Sequence, residues 1–396
     1  MSDRVRMTAQ LRLTDRYDLA SLIIARVDDD DLLSVSLTCK LLREVALEKS
    51  NRNVSPRIRA RVMGMCCTPA RLDWTRRFFP TLPEWLAKWD TDTSATIAKT
   101  GALATLKWAR ANGCPWDQTT CTMAAEGGHL EVLRWARANG CPWDARTCSY
   151  AAKNGHLEII KWARSNGCWW DLWTCAYAAE GGHLDVLRWA RANDCPWSVW
   201  TCALAAGSGR LAVLKWAHAN DCPWSEDTCT EAASGGYLEV LQWAHTNGCR
   251  WNVWTCASAA YSGELQLLQW AHANGCPWDH ATCSRAALGG HLEVLAWARD
   301  HGCPWNGNTC TMAAQGGHLE ILQWARARGC SWNEWVCVQA AEHGHLEILQ
   351  WARAHGCPWS RYVMIQARNH SHLHILKWLR LHESDSWRQW VREMQA

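Results

Sequence analysis

The residues of this chain with the most chemical potential are its 22 cysteines and 17 histidines, in 396 residues. The cysteines fall in two regular series. One is Cys121, Cys148, Cys175, Cys202, Cys229, Cys256, Cys283, Cys310 and Cys337, with Met364 in the next place; the other is Cys114, Cys141, Cys168, Cys195, Cys222, Cys249, Cys276, Cys303, Cys330 and Cys357. Thiols so arranged could cross-link or hold zinc. Equivalent cysteines of stacked units stand about one packed-helix distance apart, ~10 Å, beyond the ~7 Å between Cα atoms that a disulfide spans. Spacing leaves open a pair within one unit, such as Cys141 with Cys148, which an intracellular protein keeps reduced. Structural zinc sites bring closely spaced ligands; here Cys66-Cys67 is the one such pair, and no Cys-x-x-Cys occurs.

His129, His156, His183, His291, His318 and His345 recur as well, but Arg210, Tyr237 and Glu264 take the same place in other units. A ligand or catalytic base does not exchange with such different groups, so this series reads as structural. No glycine-rich phosphate loop, nucleophile elbow or paired-carboxylate arrangement is present. The chain is therefore expected to be a non-enzyme without cofactor or metal, its cysteines serving as small buried apolar residues.

What positions these residues is a strict 27-residue period, the signature of a repeat architecture. Trp108, Trp135 and Trp162 onward to Trp378 form a third series, and Trp116, Trp143 and Trp170 onward to Trp359 a fourth. They account for much of an unusual composition, 31 Trp against 2 Phe. With 48% hydrophobic and 20% charged residues the chain is globular. Its net charge of +3 requires neither a phosphate backbone nor an anionic membrane as partner. No stretch approaches the ~18 apolar residues of a membrane span, and MSDRVRMTAQ lacks the apolar run of a signal peptide. The expectation is a soluble, intracellular monomer.

Each period predicts two helices. In the second, Leu130 with Leu133 and Val132 with Trp135 are i,i+3 pairs on different faces, and Glu131, Arg134 and Arg137 form the solvated side. Asn139-Gly140 closes it through a left-handed glycine, and Cys141-Pro142 forbids continuation. Asp194 and Asp221 replace that glycine in two copies. The first helix opens on Asp117, Asp144, Asp171, Ser198, Ser225, Asn252, Asp279, Asn306, Asn333 or Ser360, all N-cap residues. With Asp144 as cap, Trp143 and Cys148 stand at the spacing of a hydrophobic staple. Two short helices cannot enclose a core, so neighbouring units must complete it.

The run GHLEVLRWARANGCPWD resembles the ankyrin repeat, whose Gly-His-Leu-Glu helix is followed by Gly-Ala-Asp-Val-Asn. The resemblance implies an all-α helical solenoid of about eleven two-helix repeats over residues 93–380. Ankyrin repeats usually run about 33 residues. The six missing here fall between Asp144 and Cys148, so the β-hairpin fingers are expected to be absent or reduced to tight turns. Composition and shortened period are similar to the Trp- and Cys-rich ankyrin proteins of giant DNA viruses of amoebae, which implies a protein of the host cytoplasm.

Both ends depart from the period. In residues 1–50, Ile23, Val27, Asp28, Asp31, Leu32 and Leu33, followed by Val35, Leu37, Cys39 and Lys40, resemble an F-box. Its usual Leu-Pro start aligns to Asp15-Arg16. The resemblance implies that Ile23, Val27, Leu32, Leu33, Val35, Leu37 and Cys39 bind the Skp adaptor of a cullin-type ubiquitin ligase while the repeats select a substrate. The alternative is that these helices merely cap an ankyrin scaffold or decoy. Residues 51–92 form a transition whose Arg52, Arg57, Arg59, Arg61, Arg76 and Arg77 offer a less favoured nucleic-acid reading against a solvated basic face. In residues 381–396, Trp387, Trp390, Val391 and Met394 make an amphipathic capping helix.

The recurrent tryptophans read as core, since they replace ankyrin Leu and Val. Other positions vary between near-identical units. Four apart on one face of the first helix stand Thr119/Met123, Arg146/Tyr150, Trp173/Tyr177, Trp200/Leu204, Asp227/Glu231, Trp254/Ser258, Ala281/Arg285, Asn308/Met312 and Trp335/Gln339. A variable surface rich in Trp, Tyr, Met and Arg has the composition of a binding site. Met123, Tyr150, Trp173, Tyr177, Trp200, Leu204, Glu231, Trp254, Arg285, Met312, Trp335 and Gln339 are the target-binding candidates. The alternative for Trp173, Trp200, Trp254 and Trp335 is packing on adjacent turns in place of the lost hairpins.

Overall fold

The structure, a computed structural model, describes residues 90–382. The F-box-like residues Ile23 to Cys39, the arginines at 52–77 and the segment Trp387 to Met394 lie outside the described residues. Twenty-two α-helices alternate as leading and trailing members of successive repeats, with no strand among the described residues. They fall in two compact units divided after Trp170. In the first, the leading helices are Thr91–Lys99, Gln118–Glu126 and Ala145–Lys153, and the trailing helices Leu103–Ala111, Leu130–Ala138 and Leu157–Ser165. The second opens with Leu172–Gly181 and Leu184–Ala192 and closes with Tyr362–Asn369 and Leu373–His382.

Helix boundaries follow local chemistry. The Asp144 side chain accepts from the Arg146 N–H, and Asp117, Asp171, Ser198, Ser225, Asn252, Asp279 and Asn306 make the same bond. Asn333 makes it too, from the Trp335 N–H at 3.1 Å. Ser360 departs from the expectation: its hydroxyl has no partner, and the backbone bond from Val363 N–H to Ser360 O opens that helix instead. One period ahead of Asp117, Asp90 caps Thr91–Lys99, with Ser94 in the cysteine's place.

Both helices of a repeat end in a Schellman motif. After Leu130–Ala138, Gly140 N–H bonds Arg137 O and Cys141 N–H bonds Ala136 O, each at 3.0 Å. Gly140 has φ +81, and Asp194 and Asp221 take the same left-handed conformation at φ 62 and 61. After Gln118–Glu126 the same pair of bonds forms at Gly128 and His129.

The core is made of small and branched residues. Val132, Leu133 and Ala136 of the trailing helix are buried, as are Thr120, Cys121, Ala124 and Ala125 of the leading helix. Within each unit, consecutive leading helices pack on one another and on their own trailing helices, with the paired alanines permitting close approach. A leucine buried as Leu133 is contributes about 2 kcal/mol. The recurrent tryptophans, expected in this core, are half-buried instead. An indole is too large for a layer built of Ala and Cys, so it lies across the rim.

Candidate interaction surface

The variable residues stand on the leading helices as their i,i+4 spacing predicts, and none is fully buried. Trp173 and Trp200 are 39% exposed, Trp335 48% and Trp254 49%. Arg285 is exposed, while Met123, Tyr150, Tyr177, Leu204, Glu231, Met312 and Gln339 are half-buried. Met123 and Tyr150 belong to the first unit, the others to the second. Trp173 stacks on Trp200 of the next repeat with ring centroids 6.4 Å apart, and lies 5.7 Å from Tyr177. The Arg285 guanidinium reaches back over Trp254 at 5.8 Å and Tyr261 at 6.0 Å. Gln339 donates to the Glu342 carboxylate at 3.1 Å. Burial, with the neighbouring Asp227 charge, pushes the Glu231 carboxyl above its ordinary range.

Tyr261, 46% exposed, escaped the sequence reading although Trp254, Ser258 and Tyr261 stand at i, i+4 and i+7 of one face. Trp169 was passed over too; it replaces the usual proline and is 81% exposed.

The opposite rim is a structural clamp. Arg137, expected in solvent, lies 4.1 Å over Trp143 and donates to Cys141 O. Arg164 repeats this with Trp170 at 4.1 Å and Cys168 O at 2.8 Å. His218, His245 and His272 stack instead on Trp224, Trp251 and Trp278 at 3.6 to 3.9 Å. Loop tryptophans within each unit also meet the next trailing-helix tryptophan edge-on, as Trp143 does Trp162 at 5.7 Å and Trp197 does Trp216 at 6.1 Å. The loop cysteine faces backwards: Cys141 Sγ donates to Asp117 O at 3.3 Å, and Cys168 Sγ to Asp144 O at 3.4 Å.

The described cysteines are all unbridged and buried. The thiols that meet within a unit are twenty apart, not Cys141 with Cys148. Cys148 packs in one cluster with Cys168, Ala163, Trp143, Trp162 and Trp170. Cys121 donates to Cys141, and that bond together with burial holds the Cys121 thiol protonated; Cys229, Cys256, Cys283 and Cys310 repeat the arrangement with their loop partners. Among the described residues, no group of three or more His, Cys, Asp or Glu residues is placed to hold a metal ion.

The histidine series bridges repeats. His129 Nε2 lies 3.0 Å from Lys99 O, His156 Nε2 3.1 Å from Glu126 O, and His318 and His345 make the same contact 30 residues back. Arg210 Nε donates to Glu180 O at 3.2 Å, so a side chain of different chemistry keeps the bond.

The sequence from 121 to 167, spanning the Cys121 helix to the close of Leu157–Ser165, matches the family model described as ankyrin repeats, many copies. Over these residues the chain is similar to ankyrin repeats. Among solved structures, the crystal structure of the human ASB11 ankyrin repeat domain is similar at 16% identity with a TM-score of 0.33, covering 39% of this chain and 83% of that one. No curated protein matches the sequence. No described helix is long and apolar enough to cross a membrane.

Proposed function

We propose that the leading-helix face holds a target protein, and that residues 1–50 link that target to the Skp adaptor of a cullin-type ubiquitin ligase. Ankyrin repeats are protein–protein interaction modules. What supports this face as the target surface is that other repeats adopt the same structure without its tryptophans. The place of Trp173, Trp200, Trp254 and Trp335 holds Asp227, Ala281 and Asn308 in other repeats, and those helices keep the same caps and the same buried Thr-Cys-Ala-Ala layer. Large indoles kept 39 to 49% exposed where the fold accepts aspartate are suited to becoming the buried anchors of a complex.

The ligase link is supported by the F-box resemblance at Ile23, Val27, Leu32, Leu33, Val35, Leu37 and Cys39. It is tested by co-purifying the full chain with a eukaryotic Skp adaptor, beside a variant carrying Leu33→Asp and Leu37→Asp. Wild type is expected to retain the adaptor, and the variant to lose it with its helical circular dichroism intact. Failure of wild type to retain the adaptor refutes the link and leaves an interaction scaffold.

A further inference from the structure

In the second unit the aromatic row is interrupted at Asp227, Ala281 and Asn308, and the first of these repeats breaks it with carboxylates. Helix Glu226–Ser234, EDTCTEAAS, carries Asp227 in the tryptophan's place and Glu231 four residues on, with Glu226 beside them. Its neighbours on the face, Val199–Gly207 and Val253–Ser262, contain no charged residue at all. Glu226 and Asp227 are exposed and Glu231 half-buried. Among the described residues no Lys, Arg or His forms an ion pair with any of the three. Asp227 accepts from the Ser225 hydroxyl at 2.9 Å.

The helix N-terminus accounts for Glu226 and Asp227, which stand in its first turn. It does not account for Glu231, whose carboxylate is partly desolvated without a cation. On either side stand the exposed rings of Trp200 and Trp254. Trp173 stacks on Trp200 from the previous repeat, and Arg285 reaches Trp254 from the following one. The acidic helix between them contributes neither an aromatic nor a cationic side chain.

We propose that this stretch binds an extended protein segment carrying one lysine or arginine, seated on Asp227 and Glu231, with an apolar or aromatic residue on each side against Trp200 and Trp254. The inference rests on the reading of the leading-helix face as the target surface. Charge complementarity selects the central residue: a cation supplies the charge that three carboxylates between two uncharged helices lack. Spacing selects its neighbours. Packed helices stand about 10 Å apart and an extended chain advances about 3.3 Å per residue, so the flanking apolar residues fall about three positions before and after the basic one.

The test is peptide display against the full chain at about 0.15 M salt, where long-range attraction between exposed charges is screened, followed by anisotropy titration of enriched peptides made synthetically. The expected enrichment is Lys or Arg at one fixed position with apolar residues three away on both sides. Combined Asp227→Lys and Glu231→Lys should weaken these peptides about tenfold or more, and Glu231→Gln, which keeps the side chain's shape, should weaken them measurably. Reversing Glu239 and Glu293, exposed on trailing helices, should leave binding unchanged; an equal loss there means diffuse attraction and overturns the proposal. Peptides that lack a basic residue yet are lost with Trp173→Ala and Trp335→Ala overturn the basic segment and leave the face as a target surface. No enrichment, or binding insensitive to every substitution on the face, removes both readings.

Discussion

Two left-handed glycines in one repeat make a quantitative test of how the repeats are joined. Gly140 has φ +81 and a Cβ added there meets nothing within 4 Å. Gly128 has φ +80, but a Cβ there falls 2.7 Å from Cε1 and 3.0 Å from Nε2 of His156, the ring that bridges to Glu126 O. Both substitutions to Ala incur the left-handed cost of about 1–2 kcal/mol, partly offset by a less flexible unfolded chain. Gly128→Ala must in addition displace the imidazole, at about 1–3 kcal/mol for overpacking and about 1 kcal/mol for the hydrogen bond. Gly140→Ala is thus expected to cost about 1 kcal/mol, and Gly128→Ala at least about 2 kcal/mol more. Removing the ring in Gly128→Ala/His156→Ala should recover about 1–3 kcal/mol relative to the sum of the single variants. Because repeat arrays can lose two-state behaviour, the readout is urea unfolding by circular dichroism together with hydrogen exchange of amides in 118–165. Equal effects at the two glycines, or strict additivity in the double variant, would refute His–Gly contact as the seam between repeats.

Three further outcomes follow from the rim and the core. Arg164→Gln removes both the stack on Trp170 and the bond to Cys168 O and is expected to cost about 1–2 kcal/mol in urea unfolding, with Arg164→Lys restoring little because the planar fork is lost. The described thiols should resist iodoacetamide at pH 8 until denaturant is added, since all are buried, burial pushes Cys114 up to about 11 and Cys121 is held protonated; rapid labelling of native Cys121 or Cys148, seen by mass spectrometry, contradicts the packing. Burial lowers the His345 pKa from its ordinary 6.5, so the unfolded chain takes that proton more readily and stability falls as pH drops below about 6.5. His345→Gln, which keeps an N–H for Gln315 O, should lessen the loss between pH 7.5 and 5.5; an unchanged difference removes His345 as its source.

The parts of this structure legible in the sequence are those written within one helix or one turn. Asp144 as cap and Gly140 as left-handed terminator are local choices, visible wherever the residue type alone satisfies an orphan backbone group. The exposed face was legible for the same reason, since i,i+4 places Trp173 with Tyr177 without knowledge of any neighbour. Contacts between repeats were not. The pairing of Cys148 with Cys168 rather than Cys141, and the fold of Arg137 over Trp143, depend on where the chain returns after a helix and a loop. Ser360 shows the local limit as well, because a cap-forming residue type is present there and yet its hydroxyl makes no bond to the helix.

The rim contacts also explain why the shortened period and the Trp- and Cys-rich composition occur together. With no hairpin between Asp144 and Cys148, successive loops have no strand ladder to join them. The joining falls to Cys141 Sγ on Asp117 O behind, Trp143 against Trp162 ahead, and Arg137 bracing the loop between its Trp143 ring and its own Cys141 carbonyl. Each spans only a few ångströms and depends on Trp143 lying five residues before Cys148. Residues inserted there would carry the indole away from the cluster of Cys148, Ala163 and Cys168 and break the clamp. The short loop and the tryptophan and cysteine series therefore depend on one another. These contacts are confined to the rim, which leaves the leading-helix face to vary from Trp to Asp without loss of the fold.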